Sequence, residues 1–272
     1  MPMDELISLL AASEGTYIVK EVRGTKGRNM RLLRLGGGST GGHRDLLEML
    51  KGSGLLEHRL SDVILQKYIE RPLLVDKRKF DFRVYMLMVN ACRREKSGSR
   101  SKAFYVYWHP GFLRLCIMAY QRDSGDLLCH LTNQHIQMNS VLYDRDYVRD
   151  VIYPKIGAII GYLGAAFAES LNDNAIKANT FKLFGVDFMV DSRLSVQLLE
   201  VNDLPSWRRQ TRILAKLKTD LWREAVALTV ETVAKFRQKQ TLEPLVSRCN
   251  FRLAHSSEDP TLLANAIATL FH

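Results

Sequence analysis

Residues 79–83 read Lys-Phe-Asp-Phe-Arg, a strict alternation of charge and phenylalanine. Side chains along a strand point to opposite faces with a period of two. Lys79, Asp81 and Arg83 therefore project from one face, while Phe80 and Phe82 turn into a core. Leu199-Glu200-Val201-Asn202 repeats the pattern, with Glu200 and Asn202 on one face and Leu199 and Val201 on the other. Such strands fit a sheet whose apolar side is core and whose other side is a site. Cations beside hard oxygen donors point to phosphate-and-magnesium chemistry. A surface salt-bridge ladder is the competing reading of the Lys-Asp-Arg row, and such ladders contribute little.

The order of elements narrows the fold further. Strands are expected at Thr16–Val22, Met30–Leu35, Asp62–Ile69 and Lys79–Asn90, the first two as a hairpin. Arg93–Lys102 is polar and basic and reads as an exposed loop. Phe104–Trp108 and Phe112–Cys116 read as two strands turned by His109-Pro110-Gly111. Phe184–Val190 and Ser195–Val201 read as a hairpin through Asp191-Ser192-Arg193. Helices are expected at Asp4–Ala12, His43–Lys51, Asp144–Leu171 with a bend at Pro154, Arg208–Gln238 and Pro260–Phe271. No regular βαβ alternation runs through this order, so the class is α+β with mainly antiparallel sheets.

With 272 residues, 46% of them apolar, the chain can build a real core. Its 39 basic residues outnumber 29 acidic ones, for a net charge of +10, which favours anionic partners. The cysteines Cys92, Cys116, Cys129 and Cys249 form no CxxC pair and match no zinc spacing. Reduced thiols in the cytosol are the plain reading. The acidic start lacks the basic flank of a signal peptide. The apolar run Ile156–Ala168 is too short to span a bilayer and reads as a buried helix, with Gly157 and Gly161 allowing close packing. A nucleic-acid partner is not expected, because the bases are spread along the chain without a recognised motif.

Several segments carry candidate chemistry. Lys20 precedes the loop Gly24 to Asn29, where glycines let backbone N–H groups approach phosphate oxygens, and Lys26 and Arg28 add charge. The loop leads into a strand, unlike a Walker A loop, and taken alone also reads as a basic hairpin. Gln66-Lys67-Tyr68-Ile69 ends a strand where an adenine edge could be read by backbone groups, or where the chain simply turns at Pro72. Asp187, Glu200 and Asn202 offer two carboxylates and an amide oxygen on neighbouring strands, a donor set suited to magnesium. Asp187 lies in Phe184-Gly185-Val186-Asp187-Phe188, where an unpaired buried carboxylate is costly and a bound cation would remove that cost. Arg114 suits a carboxylate or phosphate, and is otherwise an exposed strand charge. His130, downstream of it, reads as a satisfied core histidine, the commoner fate of a lone histidine. Nothing calls for covalent catalysis.

Taken in order, Tyr17-Ile18-Val19-Lys20, the loop Gly24 to Met30, Gln66-Lys67-Tyr68-Ile69-Glu70 with Pro72-Leu73-Leu74, and Lys79-Phe80-Asp81-Phe82-Arg83-Val84-Tyr85 resemble the tubulin-tyrosine-ligase-like family of ATP-grasp ligases. Gly111-Phe112-Leu113-Arg114, His130-Leu131-Thr132-Asn133, Phe184 to Phe188 and Leu198 to Ser206 continue the resemblance over roughly residues 15 to 235. It implies an ATP-grasp fold with the family's N-terminal domain largely missing. Residues 1–70 would form a partial central subdomain with the glycine-rich phosphate loop, 71–240 the C-terminal catalytic subdomain, and 241–272 a C-terminal extension. Within the family, Asn29 stands where a glycine is usual and Tyr17 where a tryptophan is usual.

The resemblance also implies roles. Lys20, Lys79, Lys26 and Gly27 would hold ATP phosphates, and Gln66, Lys67, Tyr68 and Ile69 would line the adenine pocket. Asp81, Thr132 and Asn133 would complete the nucleotide site, and Asp187, Glu200 and Asn202 would bind Mg2+. Arg114 would hold the carboxylate of the free amino acid, with His135 and Arg212 as further candidates. Arg28 and Arg83 would meet the acceptor carboxylate or the acyl phosphate. The implied activity is attachment of an amino acid, glutamate foremost, to acidic tails of tubulin through an acyl phosphate. Glycine or tyrosine ligation and a catalytically silent tubulin-binding module are the alternatives. The implied location is the cytoplasmic cytoskeleton, with cilium, flagellum and basal body as further sites.

Overall fold

The computed structural model describes residues 14–21, 30–35, 63–132, 146–170, 178–203, 205–207 and 211–271. The helices expected at Asp4–Ala12 and His43–Lys51, and the loop Gly24 to Asn29, lie outside the described residues. The chain divides into two compact units, each drawing on two stretches: 1–79 with 115–136, and 80–114 with 137–272.

In the first unit, strands β1 (Gly15–Glu21), β2 (Arg31–Leu35) and β3 (Val63–Lys67) form an antiparallel sheet in the order β2-β1-β3. The expected hairpin of the first two strands is present, with Ile18 opposite Leu32. A two-residue strand β4 (Leu74–Val75) pairs with the first residues of β5 (Arg78–Arg94), Leu74 opposite Lys79.

The second unit is built on a sheet in the order β8-β7-β5-β6-β9. Its strands beyond β5 are β6 (Arg100–Leu115), β7 (Thr180–Val190), β8 (Val196–Asn202) and β9 (Arg252–Ser256). Helices α1 (Tyr153–Ser170), α2 (Arg212–Arg237) and α3 (Thr261–Phe271) flank it. Alternation along the strands assigns each helix a face. Phe82 and Trp108 meet Tyr153 edge-on, and Phe184 stacks on Phe167, so these side chains face α1. Tyr105 meets Phe236, Phe181 meets Trp222 and the Tyr107 hydroxyl bonds Thr232, so these face α2.

Helix α2 begins where the Thr211 hydroxyl accepts a hydrogen bond from the Leu214 N–H. It buries Leu214, Lys218, Leu221, Ala225, Leu228, Thr232 and Phe236, a stripe at three- and four-residue spacing. Lys235 and Arg237 lie in its last turn, where cations suit the helix dipole.

Three expectations are corrected. The chain does not turn back at His109-Pro110-Gly111; β6 runs through them as one strand. Gly111 takes φ +64° and its N–H donates to His109 Nδ1 at 2.9 Å, so the kink is absorbed and its donor satisfied. The loop expected over Arg93–Lys102 is tighter, turning between Glu95 and Ser99 with Gly98 at φ +86°. At Pro154 the helix is preceded by a π-helical turn, Val148–Ile152, in which the Tyr153 N–H bonds the Val148 carbonyl. Proline lacks an N–H, and a widened turn ahead of it accommodates the missing rung. In residues 241–272, β9 pairs with β6, Trp108 opposite Arg252, and Ala266 of α3 lies against Gly161 of α1.

The stretch Val148–Glu169 is by length and composition sufficient to cross a membrane, longer than the apolar run suggested. Here its glycine face is packed: a Cβ at Gly161 would meet the Ala254 carbonyl oxygen at 2.6 Å, and one at Gly164 would meet Val106 at 2.4 Å.

Candidate active site

The densest group of expected residues lies in the second unit, across three neighbouring strands. Pairing sets Arg83 of β5 opposite Asp187 of β7, and Asp187 opposite Glu200 of β8. Arg83 forks onto Asp187 through Nε and Nη2, the latter at 2.8 Å from Oδ2. Arg114 forks onto Asp81, Nε–Oδ1 2.6 Å and Nη2–Oδ2 2.8 Å, and its Nη2 also lies 2.8 Å from Asp187 Oδ2. Asp81 and Asp187 are 1% exposed. Burial alone would raise the Asp187 pKa, but the Arg114 charge and the Arg83 hydrogen bonds hold it below the usual carboxylate range. Arg114 is likewise pushed upward: burial opposes its charge, and Asp81 and Asp187 outweigh that.

These contacts change two readings. Arg114 is 9% exposed, so it is no exposed strand charge; its Nε and Nη2 are committed to carboxylates. The cost of burying Asp187 is met here by two guanidinium groups.

A β-bulge separates Asp187 from Phe188 in the β7–β8 pair, the kind of irregularity that re-aims a side chain. Asn202 Nδ2 lies 3.1 Å from Glu200 Oε1 and 3.5 Å from Asp187 Oδ2, so the amide sits between the two carboxylates. Like charges directly opposite one another on a sheet are unfavourable without a cation or donor nearby. The amide turns its Nδ2, not its oxygen, toward both carboxylates, so the side chain would have to flip for the three to offer hard oxygen donors to a magnesium ion. The loop after β8 is fastened over the site: Trp207 stacks on Tyr85, and Pro205 approaches Gly185 closely enough that a Cβ there would lie 3.1 Å away.

In the first unit, register places Lys20 and Gln66 on one face of the sheet, Lys20 opposite Ile64 and Gln66 opposite Ile18. Lys67, opposite Tyr17, falls on the other face. Lys79 and Tyr68 are buried, with the Lys79 ammonium 3.9 Å from the ring centroid. Thr132 is also buried. Ile69 follows directly after β3 and is half-buried. Lys26, Gly27, Arg28, Asn133 and His135 lie outside the described residues. Arg212, at the first turn of α2, makes no ion pair with the carboxylate cluster among the described residues. It lines a cavity of about 540 Å3 with His109, Ile213, Lys216, Leu221 and Asn250.

A family model described as "Tubulin-tyrosine ligase family" matches residues 4–151 and 158–240. The chain belongs to the tubulin-tyrosine ligase family. It is 29% identical over 223 residues to "Protein polyglycylase TTLL10" of Macaca fascicularis, covering 72% of this chain and 34% of that protein. It is 30% identical over 226 residues to "Inactive polyglycylase TTLL10" of Homo sapiens, covering 72% and 32%. The chain thus spans about a third of the length of these relatives. Among solved structures it resembles the C-terminal domain of K. lactis Pby1, described as an ATP-grasp enzyme interacting with the mRNA decapping enzyme Dcp2. That likeness has a TM-score of 0.54 at 21% identity, over 92% of this chain and 64% of that one. The fold of this tubulin-tyrosine ligase family member is therefore ATP-grasp, α+β with antiparallel sheets.

Sequence reasoning missed Lys218 in this family member. It is 6% exposed, its Nζ donates to the Ser206 carbonyl at 2.8 Å, and burial, with Arg83 nearby, lowers its pKa. The available signal was a lysine on the apolar stripe of α2, between Leu214 and Leu221.

Proposed function

We propose that the chain is an ATP-dependent ligase that joins a free amino acid to side-chain carboxylates of acidic tubulin tails. The observation that carries this reading is the convergence of Asp187, Glu200 and Asn202 beside Arg83 and Arg114 in a chain of this family. The net charge of +10 suits an acidic tail. Glycine is the favoured donor, because both relatives above carry polyglycylase names. Glutamate, the donor expected from the sequence, is the second reading. The proposed place of action is the microtubule in cytoplasm, cilium, flagellum or basal body.

In this reading the tail carboxylate attacks the γ-phosphorus of ATP, giving an acyl phosphate and releasing ADP. The donor's amino group then attacks the acyl carbon, phosphate leaves, and an amide remains. Lys20, Lys26, Gly27 and Lys79 hold the phosphates, and Gln66, Lys67 and Ile69 frame the base, while Tyr68 turns its ring face to the Lys79 ammonium. Asp81, Thr132 and Asn133 complete the nucleotide site. Magnesium on Asp187, Glu200 and Asn202 would supply charge neutralisation at the transferring phosphoryl group. The forks from Arg83 and Arg114 fix Asp187 and Asp81 before substrate arrives, which lowers the reorganisation needed in the transition state. Arg114 Nη1 stands outside those forks and is the atom left to meet a donor carboxylate; Arg28, His135 and Arg212 are the other candidates for substrate anions.

The deciding experiment incubates tubulin with the chain, MgATP and a mixture of isotope-labelled amino acids, and reads the added mass by mass spectrometry. Glycine on the tails is the expected result. Glutamate or tyrosine replaces the donor assignment, and no addition while nucleotide still binds identifies a silent tubulin-binding module. MgATP at a hundredfold excess over its Kd is also expected to stabilise the fold by about 2.7 kcal/mol. An unfolding temperature unmoved by millimolar MgATP would count against the nucleotide site itself.

A further inference from the structure

Lys79 is held by more than its strand. Its ammonium lies over the ring of Tyr68 at 3.9 Å, and Lys79, Tyr68 and His130 are each 5% exposed or less. The Tyr68 hydroxyl is 2.7 Å from His130 Nδ1, and His130 Nε2 is 2.9 Å from the Ser124 carbonyl oxygen. A carbonyl oxygen only accepts, so Nε2 carries the proton, Nδ1 accepts, and the phenol donates. Burial keeps His130 neutral by lowering its pKa, an effect that the Ser124 bond opposes and that neighbouring Lys79 and Arg34 reinforce. Burial also keeps the Tyr68 phenol protonated. Tyr120 closes the edge of His130 at 5.8 Å between centroids and donates to the Glu70 carbonyl at 2.7 Å. The Ser124 carbonyl thus fixes His130, His130 fixes the rotation of Tyr68, and the ring face of Tyr68 fixes the ammonium.

We propose that Tyr68 and His130 are positioning residues that hold the Lys79 ammonium ready for the phosphates of the nucleotide. This rests on the reading of Lys79 as a phosphate ligand. A lysine loses much rotamer freedom when it engages a phosphate, and a ring that restrains it beforehand reduces that loss.

The test measures equilibrium binding of MgATP and of adenosine to the full chain. Tyr68→Leu should weaken MgATP about tenfold, since it removes the ring, and leave adenosine within about twofold. Tyr68→Phe should weaken MgATP about threefold, as loss of one hydrogen bond does, and His130→Ala, which loses the bonds to both Tyr68 and Ser124, should weaken it at least as much. The double variant should lose less than the sum of the two single losses, because both changes delete the Tyr68–His130 contact. Equal losses for adenosine and MgATP would make these residues lining of the base pocket and overturn the proposal. So would wild-type affinity in Tyr68→Leu, or additive losses in the double variant. Should Tyr68→Leu fail to fold, the Phe and Ala cycle decides the same question. A wild-type chain that binds neither ligand removes the nucleotide reading itself, an outcome distinct from variants that match a binding-competent wild type.

Discussion

Asp187→Ala is expected to destabilise the second unit by about 3–5 kcal/mol, because it strips a partner from buried guanidinium groups. Arg83 loses both bonds of its fork and Arg114 loses its contact at 2.8 Å. Arg114 cannot follow water outward, since Asp81 holds its other edge. Trp108, Trp207 and Trp222 all belong to the second unit, so tryptophan fluorescence in a urea titration reports this unit's unfolding. Glu200→Gln is the matched comparison. Glu200 is exposed, and glutamine preserves an acceptor for Asn202 at the position now 3.1 Å away. Its urea midpoint should correspond to a change within about 0.5 kcal/mol, as for other exposed sites, while amino-acid incorporation is lost. A stable Asp187→Ala would show that the arginines find other partners. Unchanged turnover in Glu200→Gln would remove Glu200 from the metal site.

The contrast between these residues marks what sequence reveals. Period two in Lys79–Arg83 and Leu199–Asn202 places the right residues on the right faces, because a half-buried strand must alternate. The register that puts Arg83 opposite Asp187, 104 residues later, is a property of sheet assembly and leaves no local trace. A cation therefore looked necessary at Asp187 where two arginines already stand. His130 reached its role through Tyr68, 62 residues away, and looked like any core histidine. Pro110-Gly111 carries the composition of a turn, yet a turn needs the chain to reverse; the opposing 17-residue β5 instead gives β6 a continuous partner. Lys218 was legible only after the buried stripe of α2 was laid out. Local periodicity thus exposes elements and faces, and the pairings that finish the site come from contacts distant in sequence.

Gly111→Ala should be far more damaging than Gly98→Ala, although both glycines have positive φ, +64° and +86°. A Cβ at Gly98 would meet nothing within 4 Å. Alanine there should cost only the backbone strain of a left-handed residue, about 1–2 kcal/mol. At Gly111 the same atom would lie 1.9 Å from the Arg83 carbonyl oxygen and 3.0 Å from its carbonyl carbon. Those are backbone atoms of the neighbouring strand and cannot rotate aside, so β5 and β6 must separate locally. The separation falls where Arg83 leaves β5 for Asp187, and three residues before Arg114 leaves β6 for Asp81 and Asp187. Gly111→Ala is accordingly expected to lose more than about 3 kcal/mol, as the strain adds to disruption of a buried ionic network. Any folded fraction should have lost incorporation activity, whereas Gly98→Ala should keep it. Matching urea midpoints for the two variants would mean that β5 yields at Arg83 without strain, and the rigid approach of the two backbones would no longer explain why glycine occupies this position.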